Sequence, residues 1–548
     1  MTHFDHVCEV SPVADLLVRA AHRHPLRDAI VFPEQRNNYA QLMDNAERFA
    51  RGLLALGVRP GDHVGLLAIN SIELVAAIFG IALLGCVAVP LNVRHKEKEI
   101  GFIVRNANLA LLFTTSAADD YVDFGAIVGA ALPSLAAAAD ARALALPEAP
   151  RLRQVVMLRG QGKAGLLGRA EFDQLADRVD RSDVHQARRR VRLCGTALIL
   201  YTSGTTADPK GCMLSHEAIS RGPVERARQR FTAEPHPVHW GAGPLSHIGS
   251  LAPMLGTIGA CGTYLTDAYF DAERALGLIA REQASTAWPW FPAIIQALLD
   301  HPRFEARMLR SLRSMMLIGP AKLIERVAAL LPEMEILQGC GMTETAGVFA
   351  LSEPDEPMHD RTCTQGKAVP GIDIRIVDVT TGEDALPGQV GEILVRGYCV
   401  MSGYYNDPGK TAETIDADGW LHTGDLYSRS ATGSLCFNGR LKDMLKVGGE
   451  NVAAIEIESF LYEHPAVRLA EVVGRPDARL DEVPVAFVEL RPGMQLREQE
   501  LIEFCMGKIA SYKVPRAVFF MNSGDWPMSA TKVNKRALRA RLAAAAST

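Results

Sequence analysis

The stretch Tyr201-Thr-Ser-Gly-Thr-Thr-Ala-Asp-Pro-Lys-Gly211 is held between two short apolar runs, Ala197 to Leu200 and Cys212 to Leu214. Runs this short, bounded by turn residues, read as buried strands. Ser215, directly after the second run, suits a helix N-cap. The loop concentrates hydroxyls (Thr202, Ser203, Thr205, Thr206), glycines at 204 and 211, and Lys210. Glycine lets backbone amides approach a ligand closely, hydroxyls donate to anionic oxygens, and lysine adds a compact positive charge. Such a loop can wrap a polyphosphate. The same residue types also dominate plain turns, and no Gly-Lys-Ser/Thr closes the stretch as the Walker loop requires.

At 548 residues the chain is too long for one core, so two or more domains are expected. Charged residues at 22% and hydrophobic ones at 48% describe a globular protein, and a net charge of −5 argues against a general nucleic-acid binder. The ten cysteines form no Cys-x-x-Cys pair and no zinc pattern, so reduced thiols and a cytoplasmic location are the expectation. Met1-Thr-His-Phe-Asp-His6 shows no signal peptide. An uncharged, strongly apolar run, Leu74 to Leu91, is broken by Gly80, Gly85 and Pro90 and reads as a core helix followed by a strand.

Ser11-Pro12 opens a helix with Val13, Leu16, Leu17 and Ala20 on one face. A second helix runs from about Tyr39 to Leu56 and stops at Gly57. A strand from Val64, a helix near 71–84 and a strand at 86–91 follow. Strands alternating with helices predict parallel sheets covered on both faces. Residues 128–150, rich in alanine with prolines at 133, 147 and 150, read as a surface connection, and Arg188 to Arg190 as a solvated face.

Gln338-Gly-Cys-Gly-Met-Thr343-Glu344 follows an apolar segment, Met334 to Leu337, and is expected in the loop after a strand end, where open α/β sheets bind ligands. A carboxylate beside a phosphate site can hold Mg²⁺ against phosphate oxygens. Asp425 ends Gly419-Trp-Leu-His-Thr-Gly-Asp and reads as a turn residue. Further on stand Gly439-Arg440-Leu-Lys442 and the basic tail Thr531-Lys532-Val-Asn-Lys535-Arg536.

In this order the motifs resemble those of the adenylate-forming superfamily: acyl-CoA synthetases, luciferases and peptide-synthetase adenylation domains. The resemblance runs from about residue 11 to 545. It implies an α/β fold with a large N-terminal adenylation domain of stacked α/β sheets, residues 1–440, and a small mobile α+β C-terminal domain, 441–548. It places Thr202, Ser203, Gly204, Thr205, Thr206 and Lys210 on the triphosphate, with Thr343 contacting phosphate and Glu344 holding magnesium. Gly319, Gln338, Gly339 and Cys340 fall in the nucleotide site. Asp425 would take the ribose hydroxyls and Arg440 the ribose and α-phosphate. The resemblance also puts Lys442 at the hinge position, Gly449 along the pantetheine passage, and His247 where a residue gates the acyl pocket near the carboxylate. By the same resemblance Lys532 would be the adenylation lysine, with Lys535 as the fallback.

The implied activity is an ATP-dependent acid–CoA ligase that needs Mg²⁺ and coenzyme A. Trp240, His247, Trp290, Ile318 and Gly319 suggest an apolar acid: fatty, aromatic, alicyclic or steroid-derived. The expected partners are this acid, ATP and CoA, without nucleic acid or an integral membrane segment, and a homodimer stays open. Transfer to a carrier protein, or a weakly active or non-catalytic sensor of the same fold, are the alternatives. Three departures motivate the last: Ala207 in place of a loop glycine, Cys340 in place of the tyrosine that stacks on adenine, and a missing glycine before Lys532.

Overall fold

The computed structural model describes residues 9–545 apart from 119, 164, 203–208, 320, 355, 448–449, 478 and 530–531. Two sheets organise the first 350 residues or so. One has eight strands in the order Gly403–Tyr404, Lys210–Ser215, Thr196–Thr202, Val87–Pro90, His63–Leu66, Leu109–Thr114, Gln154–Met157, Leu166–Leu167. The other has seven: Glu335–Leu337, Ser314–Leu317, Thr286–Trp290, Val238–Gly241, Thr263–Leu265, Asp28–Val31, Arg36–Asn38. Both are parallel through their middles, as the alternation of strands and helices requires.

The helices Val13–Arg23, Tyr39–Ala55, Ile72–Leu83 and Ile248–Gly259 contribute to one apolar core that both sheets share: Leu16, Phe49, Val75 and Leu251 lie in it beside Phe113 and Leu200 of one sheet and Tyr264 of the other. Each such side chain contributes roughly 1.5–3 kcal/mol when removed from water, so the layers are stacked by burial. Every side chain from Leu74 to Leu83 is buried on Ile72–Leu83; its uncharged run is explained by protein on all sides. Among the described residues no helix is long and apolar enough to cross a membrane.

An antiparallel sheet, Ile372–Val377, Gly391–Gly397, Leu421–Arg429, Leu435–Arg440, follows. It ends at Arg440. One 3-10 turn, Leu441–Asp443, leads to Met444–Val447 in a separate sheet with Glu450–Ala453, Asp481–Leu490, Val467–Asp477 and Ala517–Phe520. That sheet has its own core under the helices Ala454–Leu461 and Glu498–Cys505.

Four readings are corrected here. The first helix is capped by Pro12, not Ser11, and no side chain caps it. Residues 128–150 are not simply surface: Val128, Leu132, Leu135, Leu144 and Leu146 are buried in a core with Phe124 and Leu166. The Gln338 motif is not a loop, because Gly339–Met342 pairs antiparallel with Gly347–Leu351. Asp425 lies inside the strand Leu421–Arg429, directly across from Arg440. The turn signal Thr-Gly came from Gly424, whose φ of +70° sits at a register shift in that strand.

Candidate active site

The strands Thr196–Thr202 and Lys210–Ser215 pair antiparallel, with Thr202 opposite Lys210, so the hydroxyl-rich loop is a hairpin connection. Ser203, Gly204, Thr205, Thr206 and Ala207 lie outside the described residues. The outgoing strand also pairs with Gly403–Tyr404: Tyr404 stands opposite Cys212, and Tyr405 N–H donates to Gly211 O at 2.8 Å. This register brings the Tyr404 ring to 5.6 Å from Lys210 Nζ. The Tyr404 hydroxyl donates to Glu344 Oε1 at 2.9 Å. Burial, and then the Glu344 charge, raise the Tyr404 pKa. The phenol therefore stays a proton donor.

Glu344 is 9% exposed. Its backbone carbonyl accepts from Met401 N at 2.8 Å, and Thr343 opens the same short 3-10 turn, Thr343–Thr345. Thr345 locks that turn by donating to Gly347 O at 2.8 Å and accepting from Met342 N at 3.1 Å. The Cys212 thiol is raised by burial and by Glu344, and it hydrogen-bonds Thr202. Lys210, Thr202, Thr343 and Glu344 are thus gathered at one end of the eight-stranded sheet. Tyr404, which ties them together, was missed in the sequence; its only signal was the Gly-Tyr-Tyr after Met401.

A second group adjoins this one through Gly339–Met342. Cys340 is buried against Tyr427 and hydrogen-bonded to it, and burial raises its thiol pKa. Two residues before Tyr427, Asp425 Oδ1 lies 3.1 Å from Arg440 Nε. Lys442 follows on the exposed 3-10 turn. Gln338 is buried, with its backbone tied to Ser352 and its side-chain Nε2 left without a partner. Gly339 fits where a side chain would strike Ala350 O at 2.9 Å. Gly319, after the strand Ser314–Leu317, packs on Pro292 and Leu323.

In the seven-stranded sheet the chain leaves Val238–Gly241 for a neighbour on one side, Thr263–Leu265, and then for one on the other, Thr286–Trp290. Such a reversal opens a crevice beyond the carboxyl ends of the strands. His247 stands there as N-cap of Ile248–Gly259, its Nδ1 accepting from Gly249 N at 3.1 Å. An accepting Nδ1 puts the ring proton on Nε2. The turn before His247 is held by Asn70: its Oδ1 accepts from Leu245 N at 2.8 Å and its Nδ2 donates to Gly243 O at 3.1 Å. Asn70 is another positioning residue the sequence did not announce.

A narrow cleft of about 20 Å³ lies beside His247, lined by Phe231, His239, Gly249, Trp288, Trp290 and Val348 among others. Trp290 sits at φ +64° and donates from Nε1 to Gly249 O at 2.5 Å. Trp240 is corrected: strand alternation turns it into the opposite core with Leu276 and Ile279, and its neighbour His239 faces the cleft. Ile318 and Gly319 are not among the lining residues.

Lys532 begins a short strand, Lys532–Val533, paired with Met528–Ser529; its side chain, like Gly449, lies outside the described residues. Lys535 is not a substitute for it. Its Nζ is 2.5 Å from Glu458 and 3.5 Å from Glu471 inside the small domain. Burial opposes that charge, but the two carboxylates outweigh it and raise the ammonium pKa.

A family model described as "AMP-binding enzyme" matches residues 17–405, and one described as "AMP-binding enzyme C-terminal domain" matches 456–532. The chain is 33% identical over 518 residues to a 3-[(3aS,4S,7aS)-7a-methyl-1,5-dioxo-octahydro-1H-inden-4-yl]propanoyl:CoA ligase of Rhodococcus jostii (strain RHA1), covering 92% of this chain and 94% of that protein. It is 30% identical to a mitochondrial medium-chain acyl-CoA ligase of Mus musculus, over 98% and 89% of the two chains. The solved anthranilate CoA ligase AuaEII, in complex with anthranoyl-AMP, superposes with a TM-score of 0.84 at 26% identity and 100% coverage of both chains. The chain belongs to the AMP-binding family of adenylate-forming enzymes and is an AMP-forming ligase.

Proposed function

We propose that this ligase joins a carboxylic acid to coenzyme A in two half-reactions at the site above, with the small domain from residue 441 onward serving both. In the first, the acid's carboxylate attacks the α-phosphorus of ATP; an acyl-adenylate forms and pyrophosphate leaves. Lys210 and the hairpin loop neutralise the triphosphate, His247 Nε2–H faces the carboxylate, and Asp425 with Arg440 seats the ribose. Lys532 balances the negative charge that grows on the α-phosphate.

Magnesium fits Glu344. The carboxylate, a hard oxygen donor, is fixed at one oxygen by Tyr404. That donor set suits an ion held by one carboxylate, phosphates and water. Bound there, it would supply charge neutralisation to the phosphates. In the second half-reaction the small domain turns about Lys442 and withdraws Lys532. The CoA thiol, entering past Gly449, attacks the acyl carbon and AMP departs.

The observation that carries this reading is the meeting of Lys210, Tyr404 and Glu344 across three separate chain segments. The acid is apolar in its body, since aromatic rings wall the cleft. The names of the relatives, an indane-propanoyl ligase, a medium-chain ligase and an anthranilate ligase, support a choice between ring-bearing and medium-length acids. An acid-dependent pyrophosphate-exchange assay over such a panel, followed by thioester formation with free CoA or a carrier protein, tests it. Failure of every acid to support exchange, despite ATP binding, would instead favour a sensor.

A further inference from the structure

The cleft beside His247 contains polar groups that the adenylation chemistry does not use. Arg226, on the helix His216–Gln229, lines it together with Trp288. Trp288 is 4% exposed, and its indole N–H is buried without a hydrogen-bond partner. Arg226 Nη1 reaches Val348 O only at 3.5 Å, and its other contact is the Tyr398 hydroxyl. Glu225 is the acidic group whose charge acts on it. Gly222 leaves the room this needs: a side chain there would meet Tyr398 Oη at 2.7 Å and Arg226 Nη1 at 2.9 Å.

An indole N–H buried without an acceptor is costly, and a guanidinium bonded to a carbonyl and a phenol still has donors to spare. Phe231 packs edge-on to Trp288 at 5.1 Å. His239 is kept neutral by burial, which lowers its pKa to about 4. The two donors line the same narrow cleft.

We infer that the acid activated here carries a second oxygen acceptor, a carboxylate or a ketone, remote from the reacting carboxyl, and that Arg226 and the Trp288 indole N–H bind it. This rests on the ligase reading above. A planar fork of N–H donors matches a carboxylate in two-point fashion, while a ketone would use one Arg226 donor and the indole. A site built to hydrogen-bond a substrate group rejects an analogue lacking it far more strongly than an apolar pocket rejects a changed chain length.

The test compares octanoate, octanedioate and an oxo-octanoate with its ketone near the far end, by acid-dependent pyrophosphate exchange. For the unaltered enzyme, kcat/KM with the diacid or the oxo acid should exceed that with octanoate by at least about tenfold, the lower bound for one satisfied polar contact. Arg226→Met should erase that preference, Arg226→Lys should keep part of it, and Trp288→Phe should reduce it several-fold. The diacid leading marks an anionic partner, and the oxo acid leading a neutral one. Octanoate used as well as or better than both by the unaltered enzyme, or an unchanged ratio in folded Arg226→Met, overturns the inference and leaves the ligase reading intact. Silence with every acid counts against the ligase reading itself.

Discussion

Tyr404 does two things at once: its ring sits over Lys210 and its hydroxyl fixes Glu344. Tyr404→Phe keeps the ring and removes only the hydrogen bond to a carboxylate, a bond of about 1.5–3 kcal/mol. Pyrophosphate exchange should fall about 10- to 100-fold, with a higher magnesium requirement and an unchanged fold; a magnesium titration of the exchange rate checks it. Two buried histidines set an acid limit. Burial lowers His216 and His239 to about 4, and His216 Nδ1 accepts from Val13 N at the start of the first helix. Unfolded histidine binds its proton near pH 6.5, so the unfolded chain takes up more protons once pH falls below that. Stability present above pH 6.5 should be lost progressively down to about pH 4, by roughly 3 kcal/mol per histidine. Denaturant melts across that range measure it, and His239→Phe should flatten part of the slope.

At the scale of elements, the site depends on loops anchored far from the chemistry. Asn70 belongs to the segment after His63–Leu66 in one sheet but holds the turn at 243–245 that leads from the other sheet to His247. Asn70→Ala should raise KM for the acid more than it lowers kcat, and cost about 1–3 kcal/mol of stability because buried backbone groups lose their partner. Separate titrations of acid and ATP distinguish this from a general loss. Lys535 plays the same part in the small domain. Lys535→Met leaves Glu458 and Glu471 facing each other and should destabilise that domain by about 3–5 kcal/mol. Burial and Glu458 raise Glu471 to about 7, so the damage should be greater at pH 8 than at pH 6, which thermal melts at the two values would show. The same register effects mark what could be read from the chain alone. The two runs flanking Tyr201–Gly211 are short, apolar and bounded by turn residues, so both strands were legible, though not their antiparallel pairing. The strand at Gly339–Met342 was not, because Gly-Cys-Gly-Met has no alternating pattern and pairs only through a partner, Gly347–Leu351, supplied after a left-handed Ala346. Asp425 faced Arg440 for a similar reason: cross-strand pairing joins residues fifteen apart in sequence, and no local rule reports it.

At the scale of the whole molecule, two stacked sheets bring the hairpin joined at Thr202 and Lys210, the Glu344 turn and the His247 crevice to one region, and a separate small domain carries Lys532. Trp240, Cys340, Tyr427 and Arg226 show the limit of legibility there. Each side chain's surroundings are set by packing between sheets, so a tryptophan expected in the pocket faces a core while Arg226, unremarked in the sequence, lines the cleft. The division of labour between domains is the central claim, and the two half-reactions of Lys532→Ala test it most directly. Acid-dependent pyrophosphate exchange should drop by a factor on the order of 100 or more, as when a preorganised charge partner of the transition state is removed, while supplied acyl-adenylate is still converted by CoA to the thioester at near the unaltered rate. Exchange at the unaltered rate in Lys532→Ala would contradict the account.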